Sequence, residues 1–258
     1  MSNVLAVATI VIKELYRRKD FYVLFVMTAL ICLVMGSVHF FNDAHIARYL
    51  KEICLLLVWI SSLVIAITTT ARQIPMEREN RTLFPLLAKP LSRTELLLGK
   101  FFGCWFACGL ALVCFYLLFS LLAASRERHW LFLNYFQAGF LHWAMLGVVV
   151  ALALLGSLIF TAPSSNTTIC FVAATAILLL GRHLNKVALQ LPEPRRSILY
   201  ALYYCIPHLE LFDLRDLIIH DWPLVPWRVC GLATLYAIGY AAAFLIAACL
   251  IFRRKAVN

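Results

Sequence analysis

Charge is scarce in this sequence. Charged residues make up 14% of the 258-residue chain and hydrophobic ones 63%. An ordinary soluble domain has roughly 25% and 45–50%. Too few charges remain to coat a soluble fold, and too much apolar surface would need hiding. That excludes a soluble globular enzyme, a disordered tail and a fibrous repeat. A mean hydropathy of +0.87 agrees, and the fold class expected is an all-α integral membrane protein.

Acidic residues are scarcer still, with 13 Asp and Glu against 23 Lys and Arg, a net charge of +10. In a soluble protein this balance would suggest nucleic acid. Beside apolar runs it reads instead as Lys and Arg gathered at the cytoplasmic ends of membrane spans. The partner is then the lipid bilayer, and no nucleic acid is expected. The nine cysteines contain no CxxC pair and no Cys/His cluster with zinc spacing, so no metal is expected. Cys32, Cys54, Cys104, Cys108, Cys114, Cys170 and Cys249 sit in apolar runs and act as small hydrophobes. A bridge between Cys205 and Cys230 is left open. A phosphate-binding loop is missing too. Gly99-Lys100-Phe101 comes nearest, but no glycine lies five residues earlier and no Ser or Thr follows. The chain is expected to bind no cofactor of its own.

What is present is apolar sequence in long runs. A hydrocarbon core of about 30 Å needs about 20 such residues as helix. Six stretches qualify, at about 21–41, 53–71, 96–124, 138–162, 168–181 and 229–252. None holds an acid, and the one basic residue, Lys100, is expected to snorkel from one end of the third. Backbone groups in lipid must be satisfied internally, and runs this unbroken are helices rather than barrel strands. With both termini cytoplasmic, the inner side collects thirteen Lys and Arg, while the two short outer loops hold only Arg48, Lys51, Arg126 and Arg128. The expected topology is therefore six spans with both ends inside. The sequon Asn166-Thr167-Thr168 then falls in a cytoplasmic turn, where it is not glycosylated.

No basic region and no small-residue cleavage site mark the first apolar residues as a signal peptide. Residues 1–20 are expected to form a helix in the cytoplasmic interface, with Leu5, Ala8, Ile12 and Leu15 at helical spacing. A frayed extension of the first span is the plainer alternative.

The segment 72–95 carries both signs of charge. A short helix is expected at about 76–87, with Leu83, Phe84, Leu86 and Leu87 beside Glu77 and Glu79. A short amphipathic helix held between two spans suits docking into a groove of a soluble partner. Ser92 and Glu95 have the spacing of a capping box opening the next helix. The third span carries Gly99, Gly103, Ala107 and Ala111 at every fourth position. Such a stripe admits another helix closely, within the protomer or across a dimer. Ala233, Ala237 and Ala241 form a similar stripe in the last span. The long outer segment 182–228 is expected to hold an apolar helical piece at 198–206. An amphipathic helix should follow, with Leu211, Leu214, Leu217 and Ile218 on one face and Trp222 and Trp227 at the interface.

The run Glu77-x-Glu79-x-x-Thr82-Leu83-x-x-Leu86-Leu87-Ala88-Lys89-Pro90-Leu91-Ser92-Arg93-x-Glu95-Leu96-Leu97-Leu98-Gly99-Lys100 resembles the signature of type-2 ATP-binding-cassette (ABC) transporter permeases. The nearest branch by resemblance includes the permease of the nitrous-oxide-reductase maturation system. The opening Lys13-Glu14-Leu15 and the segment 207–215 are similar to that family's N-terminal helix and outer segment. The resemblance implies a single permease domain spanning 1–258 that pairs with a second copy or a homologous permease. It implies two copies of a cytoplasmic ATPase subunit, with ATP and Mg bound there. It makes 72–95 the coupling loop, with Glu77, Arg78, Glu79, Arg81 and Leu83 as coupling residues. Export across a bacterial cytoplasmic membrane is the expected use.

Three rival readings bear on function. A membrane enzyme would draw on His208, Glu210, Asp213, Asp216, His220 and Asp221, but one helix cannot present them all on one face. A secondary transporter would place ionisable residues inside the membrane, whereas the spans hold no acid and His39 and His142 lie near span ends. A membrane scaffold using the same ATPase without transport has the same sequence features as a permease.

Overall fold

The computed structural model describes residues 3–17, 19–37, 45–80, 92–126, 132–190 and 192–254. These form α1 (Asn3–Arg17), α2 (Lys19–Ser37), α3 (His45–Ala71), α4 (Gln73–Glu79), α5 (Arg93–Arg126), α6 (Phe132–Ile159), α7 (Pro163–Gln190), α8 (Arg195–Cys205), a 3₁₀ turn (Leu209–Phe212), α9 (Arg215–Ile219) and α10 (Trp227–Arg254). Among the described residues there is no strand. Among the described residues, four helical stretches are long and apolar enough to cross a membrane: Arg48–Glu79, Arg93–Ala124, Phe132–Ile159 and Trp227–Arg254. The first expected span falls on α2 and runs past its end into residues outside the described ones. The fifth falls on α7, whose apolar part is Pro163–Leu179.

α6 is the central helix. Its most apolar window is 72% buried, against 28% for α10, so α6 is apolar all round because it has neighbours all round. α3, α5, α7 and α10 pack against it. α10 exposes Leu232, Leu235, Ile238, Ile246 and Leu250, and gives α6 its opposite face, Ala237, Ala241, Leu245 and Ala248. α1 lies along α5, burying Ala8, Val11 and Leu15 and exposing Leu5, Ile10 and Tyr16.

Polar side chains close the gaps that hydropathy leaves. Asn166 is fully buried and donates from Nδ2 to the carbonyl oxygens of Ala71 (3.0 Å) and Ala153 (3.2 Å). The first of these satisfies a carbonyl at the end of α3, which has no partner within its own helix. This burial is a second physical ground for discounting the sequon.

Two expectations change. The outer amphipathic helix is broken: a 3₁₀ turn and the five-residue α9 are separated by Asp213, whose backbone is extended. The inward residues are Leu209, Phe212, Leu217, Ile218 and Ile219, while Leu211 is 54% exposed. Lys100 does not snorkel. Its side chain is 2% exposed and its ammonium is held inside the protein. Cys230 is a buried free thiol that accepts a hydrogen bond from Gln137 Nε2.

Candidate functional site at the α4–α5 junction

α3 ends at Ala71, and after a one-residue turn the chain re-enters helix as α4. Pro75 sits in the first turn of α4, where its missing N–H costs nothing. Gln73, Ile74 and Pro75 are buried, and α4 packs on α3 and α6. Glu79 and Asn80 are exposed.

Gln73 and Glu77 stand one helical turn apart and so share a face. Both reach the same ammonium. Lys100 Nζ donates to Glu77 Oε1 at 2.7 Å and to Gln73 Oε1 at 3.1 Å. The side chains of Lys100 and Glu77 are 2% and 21% exposed. A buried cation is tolerated only when paired and hydrogen-bonded, and α4 supplies both requirements to α5. Glu77 therefore points inward, half a turn from the exposed Glu79. Arg78 lies between them and is partly exposed. The helix expected at 76–87 is seen only as α4, which begins at Gln73 and ends at Glu79; Arg81 and Leu83, with Phe84, Leu86 and Leu87, lie outside the described residues.

α5 begins with the capping box. Ser92 N–H donates to Glu95 Oε2 (2.7 Å), and Glu95 N–H donates back to Ser92 Oγ (3.2 Å). Arg93 turns to the end of α10, donating to Phe252 O at 2.7 Å with its guanidinium over the Phe252 ring. Asn3 of α1 donates to Glu95 Oε1. The ends of α1, α5 and α10 thus meet around Arg93 and Glu95.

The small-residue stripe of α5 faces α1. A Cβ built on Gly99 would lie 2.5 Å from Val7 Cβ, and one on Gly103 would lie 2.7 Å from Val11 Cβ. No side chain fits at either position while α1 stays where it is. Ala107 and Ala111 continue the stripe as buried residues.

The acids and histidines weighed for enzyme chemistry are spread over separate structural contacts. Asp213 accepts two hydrogen bonds from the Arg215 guanidinium, which lies over Trp59, and a third from the Arg215 backbone N–H. Asp221 accepts from the buried Lys51 at 3.0 Å. Arg48 and His220 are 3.2 Å apart, and His208 and Glu210 are 3.5 Å apart. His142, buried in α6, is bonded to Ser62 at 2.8 Å. Among the described residues, no three His, Cys, Asp or Glu side chains come together in a group that would hold a metal. A groove of about 370 Å³ between α5, α6 and α10 is lined by Phe101, Trp105, Phe140 and Trp143, and is almost wholly apolar.

Sequence reasoning missed Gln73, Lys100 and Asn166 as partners. The signal for the first two was present in the one-turn spacing of Gln73 and Glu77 and in the lone cation of an otherwise apolar helix. Nothing in the sequence joined the two. No curated protein matches the chain. Residues 53–257, most of its length, match the family described as ABC-2 family transporter protein, and the chain belongs to that family.

Proposed function

We propose that the chain is the permease subunit of an ABC exporter, energised by ATP hydrolysed on a separate cytoplasmic subunit. As an ABC-2 family member it is a transmembrane permease of an ABC transporter. The ATPase partner, its two copies, the pairing of permeases and the outward direction are our inference. So is the placement near the nitrous-oxide-reductase maturation branch, which rests on the motif from Glu77 to Lys100. In this reading the protein crosses a bacterial cytoplasmic membrane six times with both termini inside.

One observation carries the reading. α4 is a short helix closing the stretch Arg48–Glu79, fixed to the protein by a buried face, with Glu79 and the following Asn80 exposed. A helix anchored in this way transmits force, whereas a loose solvated loop would absorb it. Affinity purification in mild detergent should recover an ATPase subunit, and reconstituted liposomes should move the co-purifying cargo only with ATP. Recovery of the ATPase without ATP-dependent movement would favour the scaffold reading.

A further inference from the structure

We propose that the Lys100–Glu77–Gln73 contact is the point at which movement of α4 passes into the membrane helix α5. This rests on the permease reading above and adds a residue, Lys100, whose side chain is buried within the chain. The two acids of α4 are two residues apart, which places them on opposite sides of the helix. Glu79 faces out, available to a soluble partner. Glu77 faces in and is held 2.7 Å from Lys100 Nζ. Gln73 adds its side-chain amide oxygen at 3.1 Å and its backbone carbonyl at 3.5 Å.

Three features make this contact a transmitter. First, it is stiff. A cation that is 2% exposed cannot exchange its protein partners for water, so separating α4 from α5 strands a buried charge. Second, it spans two elements. The donor is on α5 and all three acceptors are on α4, and the covalent path between them runs through more than ten further residues. Third, it lies next to the seat of α1. Gly99, adjacent to Lys100, carries Val7, and Gly103 carries Val11 one turn on. A displacement of α4 therefore moves α5 and α1 together.

The test uses the full chain in nanodiscs with the ATPase subunit that co-purifies with it, reading ATPase affinity and permease-stimulated hydrolysis separately. The neutral pair Glu77→Gln with Lys100→Met removes both charges of this ion pair together and so should still fold. It should bind the ATPase with near-normal affinity while stimulation falls by about tenfold, within the 5–150-fold typical of coupling between sites. The swapped pair Glu77→Lys with Lys100→Glu should regain much of the stimulation. Glu79→Lys, on the outward face, should instead weaken ATPase binding. Normal stimulation by the neutral pair overturns the proposal. Loss of ATPase binding in the neutral pair, parallel to Glu79→Lys, also overturns it and makes the contact merely structural. If the wild-type chain retains no ATPase at all, the permease reading itself fails, and this proposal with it.

Discussion

Trp105 and Trp143 hold each other by mutual exchange. The Trp105 indole N–H donates to Trp143 O at 2.9 Å, and the Trp143 indole N–H donates to Trp105 O at 3.1 Å. Their rings stack with centroids 4.4 Å apart. Each ring is seated beside a glycine four residues beyond the other tryptophan: Trp143 against Gly109 and Trp105 against Gly147. This double clasp pins α5 to α6.

The clasp predicts opposite effects for alanine at different helical glycines. A Cβ at Gly109 would lie 2.5 Å from Trp143 Nε1, and the indole is too rigid to yield. Gly109→Ala should lower stability by about 1–3 kcal/mol through overpacking. At Gly231 and Gly239 an added Cβ meets nothing within 4 Å. Alanine there should be neutral or stabilising by up to about 1 kcal/mol. Thermal unfolding in detergent compares them, and equal midpoints for all three variants would contradict the clasp.

Gly103→Leu should lift α1 from α5. The leucine would occupy the space of Val11 and of the Ala8 carbonyl. In a cysteine-free background carrying Ala8→Cys, the buried thiol should resist a maleimide in the parent and react once Gly103→Leu is added. Leu110→Ala is the matching control, since Leu110 is 59% exposed. Leu112, which spacing alone places about 90° round from Ala111, is an unsuitable control because it is 2% exposed.

The Lys51–Asp221 pair should respond unequally to loss of either partner. Lys51 is 3% exposed and Asp221 is 54% exposed. Lys51→Met leaves a carboxylate that water already solvates. Asp221→Asn takes a carboxylate away from a buried ammonium, a costlier loss than one at a solvated group. Asn also tolerates the positive φ of 52° at this position, so the substitution isolates charge from backbone strain. Asp221→Asn should lower the melting midpoint more than Lys51→Met does; the reverse order would refute the argument.

Topology is tested by single cysteines at positions 81 and 253, expected inside, and at 126 and 193, expected outside. An impermeant maleimide applied to intact cells should label only the latter pair. Labelling of position 81 from outside would overturn the assignment.

Hydropathy made the long helices legible because a span is a local property. Runs expected at 96–124 and 229–252 appear within α5 and α10, each two or three residues longer at either end. The capping box was legible for the same reason, since Ser92 and Glu95 are three residues apart. Lys100 was misread because its partners lie 23 and 27 residues earlier, beyond any window that averages over a single helix. The outer segment misled differently. The spacing of Leu211, Leu214, Leu217 and Ile218 fits one helix, but the backbone extends at Asp213. Side-chain periodicity does not register a break of that kind.

The seat of α1 on α5 has a consequence in time. Val7 leaves the ribosome long before Gly99, the residue against which it packs. At about 5–20 residues per second, translation separates the two by roughly 5–20 s. Throughout that interval α1 has no groove to occupy and must wait where its surface is tolerated. Its exposed side already carries Leu5, Ile10 and Tyr16, together with the exposed Lys13 and Arg17. That mixture holds a helix at a membrane surface without burying it there. The face that α1 leaves exposed in the finished bundle is thus also the face suited to moor it during synthesis, until α5 arrives and its seat exists.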